Sequence, residues 1–315
     1  MPFLYVENKL LSHPRTQVIQ EKVGSLPIPI NHYGEIFNRH GGNFRLQKKN
    51  TAFILAEKQG KLLYEIPPKY GIGAKHNYYF SHVLNCPYDC SYCFLQGMYR
   101  SAHHVIFLNY ESFEKAITEK IGTEKTTFFS GYDGDSLALE PFTGFLDHFL
   151  PFFQKHPTAE LELRTKSVNI QKLLSFPPFP NCVIAFTLSP EKIVNAYEKK
   201  TPSLERRLKA MAQLQERGWN IGLRFDPLIY TEDFKEIYRV FFEKTLSLIK
   251  TPHSITLGTF RLPLKTFKEM QRIKPQEKLL ARCQQKEGMM TLPQEKEMLK
   301  FCLSLLPQEK VFVCQ

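Results

Sequence analysis

Apolar residues from about position 78 onward gather into short β-rich runs separated by helical stretches. The runs are NYYFSHVL, KTTFFS, AELELRT, NCVIAFTL, WNIGLRFDPL and HSITLGTF. Each is bounded by turn formers or by a helical pattern and reads as a strand. Two of the intervening helices are well marked. In SLERRLKAMAQLQERG, Ser203 is placed to cap, Leu204, Leu208, Met211 and Leu214 form one stripe, and Gly218 stops the helix. TEDFKEIYRVFFEKTLSLIK begins at Thr231 with acids in its first turn. Six strands alternating with helices predict an α/β fold of βα units around a parallel sheet, open or curled into a barrel. Ligands in such folds bind at the carboxyl ends of the strands.

Upstream, SLPIPINHYG, RHGGN and PPKYGIG break the pattern repeatedly. Residues 1–75 are therefore expected to form an irregular N-terminal region packed on a unit spanning 76–262. The remaining stretch, 263–315, is expected to be a small C-terminal extension with a hairpin-like piece, a helix and a short terminal strand. GIGAKH lacks a strand-to-helix fingerprint and receives no phosphate role.

Composition narrows the class. The 315 residues are 43% hydrophobic and 23% charged, which excludes a disordered or fibrous chain. No apolar run reaches the roughly 18 residues that span a bilayer, and the start, MPFLYVENKLLSH, has no signal-peptide pattern. A cytoplasmic protein without membrane contact is expected. Lys and Arg total 42 against 31 Asp and Glu, a net charge of +11 that attracts polyanions. The basic segment from Lys250 to Lys274 and RHGGNFRLQKKN each also read as a solvated face.

The cysteines carry the chemistry. Cys182, Cys283, Cys302 and Cys314 are scattered and read as small buried hydrophobes, whereas Cys86, Cys90 and Cys93 fall in NCPYDCSYCF directly after the first candidate strand. Their C-x3-C-x2-C spacing wraps three thiolates around a small inorganic cluster. A 4Fe-4S cluster takes four ligands, so three leave one iron open for a substrate or cofactor. Structural zinc, with His82, His103 or His104 as fourth ligand, is the competing reading, although no second cysteine pair accompanies the first.

C-x3-C-x-aromatic-C after the first strand of a βα series, with Tyr92 as the aromatic, resembles the radical S-adenosylmethionine (AdoMet) enzymes. CSYCFLQ, VIFLNYESF, RTKS, the stretch from FTLSPEK to RFDPLIY, and SITLGTFR resemble spore photoproduct lyase and its wider family. The resemblance implies a partial β/α barrel of about six units. It also implies a 4Fe-4S cluster on the three cysteines, AdoMet on the open iron, and reductive cleavage to a 5′-deoxyadenosyl radical that abstracts hydrogen from a substrate. Tyr92 would lie against adenine, Lys166 and Thr187 would contact AdoMet, and the SGYDGDS turn, beginning at Ser130, would approach the amino-acid end. Ser130, Lys166, Thr187 and Arg224 all lie at or near strand ends and, with Tyr92, are the expected cofactor-binding residues. Arg224 alternatively forms a salt bridge inside the barrel. Expected partners are DNA or another nucleic acid and a reductant such as flavodoxin or ferredoxin, with the chain acting as a monomer.

Three departures bear on the reaction. The turn that holds a hydrogen-donating cysteine in the lyase has none here, and Tyr132 stands nearest. Phe94 replaces the tyrosine that follows the third cluster cysteine. ARCQQKEGMMTLPQ replaces an aromatic, arginine-rich hairpin. The resemblance thus implies radical chemistry and leaves two readings for its substrate, a nucleic acid in lesion repair or modification, or a peptide or small metabolite. The rival reading outside enzymes is a non-enzymatic nucleic-acid-binding protein with a structural metal site.

Overall fold

The computed structural model describes residues 1–39 and 41–314. Six parallel strands form the centre: β1 (His76–Phe80), β2 (Thr126–Ser130), β3 (Ala159–Thr165), β4 (Cys182–Thr187), β5 (Asn220–Leu228) and β6 (Ser254–Thr259). They pair in chain order, β1 with β2 through β5 with β6. Val311–Val313 adds a seventh parallel strand beside β6, and Tyr64–Glu65 pairs antiparallel outside β1. The sheet is a curled half-barrel with two separate edges.

Crossover helices cover its outer face because their apolar stripes need a partner. Labelled in chain order, α1 is Leu95–Met98, α2 Tyr110–Thr118, α3 Phe145–Gln154, α4 Gln171–Ser175, α5 Leu204–Arg217 and α6 Phe234–Leu248. Ser203 caps α5 by accepting from the Arg206 amide at 3.3 Å, and Gly218 ends it at φ +102°. Leu204, Leu208, Met211 and Leu214 are buried as their spacing requires. The second marked helix begins at Phe234, after Asp233, rather than at Thr231.

Two expectations change. NYYFSHVL is not one strand: β1 stops at Phe80, and Val83–Leu84 joins a second sheet by pairing antiparallel with His104–Phe107. The region before residue 75 is not irregular, because Pro27–Ile30, Leu4–Glu7 and Phe53–Ala56 continue that second sheet in parallel up to His104–Phe107. These strands are only four residues long, so the flanking Pro and Gly signals dominate the local pattern.

The extension supplies α7 (Leu264–Ile273), a hairpin of Gln284–Lys286 and Met289–Thr291, α8 (Glu295–Ser304) and the seventh parallel strand. A hairpin therefore occupies the stretch ARCQQKEGMMTLPQ, turning through Glu287 and Gly288, both at positive φ. α7 packs on α1 so closely that a Cβ on Gly97 would lie 2.3 Å from the Thr266 carbonyl oxygen. The extension is thereby pressed against the segment that follows the cysteines.

Candidate active site

After β1 the chain passes Val83–Leu84 and reverses at Asn85, a non-glycine residue at φ +73°. The Asn85 side chain holds this turn, donating to the carbonyls of Ser101 (2.8 Å) and His103 (3.0 Å) and accepting from the Cys86 amide (3.0 Å). Asp89–Cys90 then pairs antiparallel with Glu198–Lys199. The Cys93 amide closes a turn onto the Cys90 carbonyl, and α1 begins. Lys48 and Lys274 both donate to Asp89 Oδ1, at 2.8 and 2.7 Å, and hold its carboxyl at a pKa of about 2 against the cost of burial. Ser91 is tied to Glu277 at 2.7 Å. The loop is thus fastened by the N-terminal region, the segment after β4 and the extension together.

Cys86, Cys90 and Cys93 are free thiols on this one loop. Burial pushes all three above the ordinary thiol range, and at Cys86 and Cys90 the neighbouring cluster thiols add to the rise. Such a set fits a ligand that brings its own positive charge to thiolates. Among the described residues no three His, Cys, Asp or Glu side chains converge on a single ion. An iron–sulfur cluster does not ask for that, since each thiolate binds a different iron. The histidines weighed for zinc are engaged elsewhere: His82 stacks on Phe145 at 3.8 Å, His103 Nδ1 accepts from the Ala52 amide, and His104 lies in a strand of the second sheet.

Tyr92 is buried between the cysteines, with the Lys166 ammonium 5.5 Å from its ring centroid. Its hydroxyl donates to Glu198, whose other oxygen pairs with Arg207. Both members of that pair are fully buried. Arg207 also donates to the carbonyls of Pro202 (2.9 Å) and Thr187 (3.2 Å), so it joins the last residue of β4 to the cluster loop.

Lys166 follows β3 directly. Asp135 fixes it there by accepting from the Lys166 amide (2.7 Å) and the Thr165 hydroxyl (2.6 Å) while capping the Leu137 and Ala138 amides. Ser130 ends β2, and its hydroxyl meets that of Ser136 at 2.8 Å. Gly131, at φ +88°, is required in this turn because a Cβ would sit 2.6 Å from Ser136 Oγ and 2.9 Å from the Arg164 carbonyl oxygen.

Tyr132, half exposed, lies 4.4 Å from the Tyr79 ring and 5.5 Å from Phe94, next to the cluster loop. Arg224 lies deeper. It pairs with Glu162 through Nε (3.1 Å) and Nη2 (2.7 Å) and donates to Ser254, folding back over Gly222, where a Cβ would come within 2.8 Å. Its placement is the internal salt bridge.

The strand ends thus gather Ser130, Tyr132, Lys166 and Thr187 around the cysteine loop, with Arg224 one layer below. The family profile for spore photoproduct lyase matches residues 2–277. The chain belongs to the spore photoproduct lyase family. Among curated family members it is 23% identical to the lyase of Bacillus subtilis (strain 168) over 249 residues, covering 76% of this chain and 71% of that one. It is 25% identical to the Clostridium acetobutylicum lyase over 172 residues, covering 53% and 51%. A spore photoproduct lyase mutant solved with bound AdoMet and dinucleoside spore photoproduct superposes with a TM-score of 0.82 at 16% identity, covering 100% of this chain and 98% of that chain. A structure of the lyase with dinucleoside spore photoproduct gives 0.81 at 15% identity over 100% and 98%. The family match spans the N-terminal sheet, the barrel and the cysteine loop, and stops before the hairpin at Gln284.

Residues that the sequence did not single out include Asp135, Glu198 and Arg207. Arg207 carried a signal, a charge inside the apolar stripe of α5. Asp135 lay in the SGYDGDS turn, which was marked only as a whole, and Glu198 carried no signal, because its partner Tyr92 is distant in the chain.

Proposed function

We propose that this chain is an AdoMet-dependent radical enzyme that repairs a pyrimidine lesion in DNA of the spore photoproduct type. The observation that carries this reading is a loop of three free thiols, Cys90 buried and Cys86 and Cys93 half-buried, at the carboxyl ends of a parallel half-barrel, in a chain that belongs to the lyase family. Cys86, Cys90 and Cys93 would hold three irons of a 4Fe-4S cluster and leave the fourth for AdoMet. Bound there, cluster and AdoMet supply a 5′-deoxyadenosyl radical on one-electron reduction.

This chain's residues do the rest. Tyr92 offers a buried flat face for the adenine. Lys166 sets a cation at the mouth, positioned by Asp135, where a carboxylate of AdoMet is attracted. Ser130 and Thr187 end the strands on either side of β3 and border the same mouth. The net charge of +11 favours a polyanionic substrate. Asp89 is already neutralised by Lys48 and Lys274, so an acidic reductant such as flavodoxin or ferredoxin meets a basic rim beside the cysteine loop. No helix among the described residues is long and apolar enough to cross a membrane.

Tyr132 takes the place of the hydrogen-donating cysteine. Burial, reinforced by Asp133, pushes its hydroxyl pKa up, so it keeps its hydrogen at neutral pH. In the transfer its O–H bond breaks homolytically and a C–H bond forms on the product radical. The unpaired electron is left on the phenolic oxygen, and the group is restored by one electron from the reductant and one proton from solvent, which reaches the half-exposed ring.

The test is anaerobic turnover of reconstituted protein with irradiated and intact thymine-rich DNA. Lesion loss should require AdoMet and reductant. AdoMet cleavage indifferent to irradiated DNA would refute the lesion reading. Tyr132→Phe should slow lesion loss by about tenfold or more, about 1.4 kcal/mol in barrier, while 5′-deoxyadenosine still accumulates. Equal rates in the two proteins would remove Tyr132 from the reaction.

A further inference from the structure

The inner face of the half-barrel carries two charged layers of opposite sense. In the lower one Glu162 of β3 meets Arg224 of β5 at 2.7 Å, a closed pair. Two residues further along each strand the signs exchange, with Arg164 on β3 and Asp226 on β5. β5 bulges between Phe225 and Leu228, so the face of Asp226 is fixed by its approach to Gly258 of β6, two residues beyond the Thr256 that pairs with Arg224, and this second layer stands above the first, toward the mouth.

The upper layer does not close. Arg164, Arg261 and Lys166 are near enough to pull on the Asp226 carboxyl electrostatically, yet among the described residues no cation reaches ion-pair distance and no donor bonds either oxygen. Burial outweighs that pull and raises the carboxyl pKa. Arg164 spends Nε and Nη2 on Glu162, at 2.9 and 2.8 Å, which leaves Nη1 free. Gly258 on β6 makes room for Asp226, since a Cβ there would lie 3.0 Å from its carboxyl carbon. The open end of the barrel thus holds an acceptor and a donor close enough to attract each other without bonding, with the Arg164 guanidinium 5.8 Å from the Phe129 ring centroid.

An opposed donor and acceptor fit a neutral group with adjacent C=O and N–H. We infer that Asp226 and Arg164 read the imide edge of the lesion pyrimidine, Asp226 accepting from the ring N–H and Arg164 Nη1 donating to the adjacent carbonyl. This rests on the lesion-repair reading and adds to it the residues that select the base. A site built to hydrogen-bond an N–H discriminates strongly against an analogue that lacks it, because the buried acceptor is then left unpaired.

The experiment is calorimetric titration of the reconstituted full chain, with AdoMet present, using the dinucleoside lesion and its twin methylated on the ring nitrogen. The wild-type protein should prefer the unmethylated lesion by about tenfold or more, as expected for a hydrogen bond to a charged group. Asp226→Ala should abolish that preference. Gly258→Ala, which displaces the carboxyl without removing it, should reduce it. Retention of the full preference in Asp226→Ala, or a parallel fall in its AdoMet affinity, overturns the assignment. A wild-type protein that shows the preference but leaves the lesion unrepaired refutes the repair reading and leaves the pair standing. One that repairs the lesion without the preference refutes the pair alone.

Discussion

Cys90→Ala is expected to yield a colourless protein after anaerobic reconstitution, where the wild type holds about four irons and four sulfides per chain. Two remaining thiolates leave two irons without protein ligands. Cys90 also sits in the short strand that pairs with Glu198–Lys199, so its replacement removes a ligand at the best-anchored point of the loop. AdoMet cleavage should fall by at least about a thousandfold, roughly 4 kcal/mol in barrier. Cys302→Ala is the matched control, because Cys302 is buried against the helical layer and its loss costs packing without removing a ligand. Iron content, absorbance and 5′-deoxyadenosine yield decide the matter. A Cys90→Ala protein that keeps four irons would overturn the ligand assignment.

The second large effect is expected at Glu198. Glu198→Ala strands the Arg207 guanidinium in a fully buried position and releases the Tyr92 and Ser189 hydroxyls. Breaking one side of a buried pair costs about 3–5 kcal/mol, because the surviving charge is left uncompensated. For a chain of this size that corresponds to a fall in apparent melting temperature of roughly 5–8 °C. Arg207→Ala should cost as much, and the double variant clearly less than the sum, since the two singles remove one shared interaction. Cluster retention should fall alongside stability, as Tyr92 lies between two of the ligands. Thermal melts of the four proteins measure the coupling, and strictly additive losses would show that the pair does not act as a unit.

The α/β architecture was legible because the barrel strands are apolar runs separated by capped helices, and α5 shows why: cap, stripe and stop all lie within one short segment. The cysteine loop was legible for the same reason, as three ligands on eight residues carry their spacing with them. The N-terminal sheet was hidden because its strands are four residues long and their partners lie on both sides of the cysteine loop. Glu198 was hidden because nothing in NAYEKK announces a partner in SYC. Arg224 was placed correctly along its strand but not in depth. Position on a strand fixes a face, whereas only the Glu162 carboxylate opposite decides that the guanidinium turns inward.

The short strands Val83–Leu84 and His104–Phe107 bracket the cysteine loop, yet both are knitted into the sheet begun by residues 4–56. The leading segment is therefore not a detachable module. A trimmed protein starting at β1 would present His104–Phe107 as a raw, apolar border, open to aggregation. It would also slacken both ends of the segment that grips the metal. Engineers who graft this barrel onto other partners will have to carry the first hundred or so residues with it, because the scaffold and the socket are woven from the same cloth.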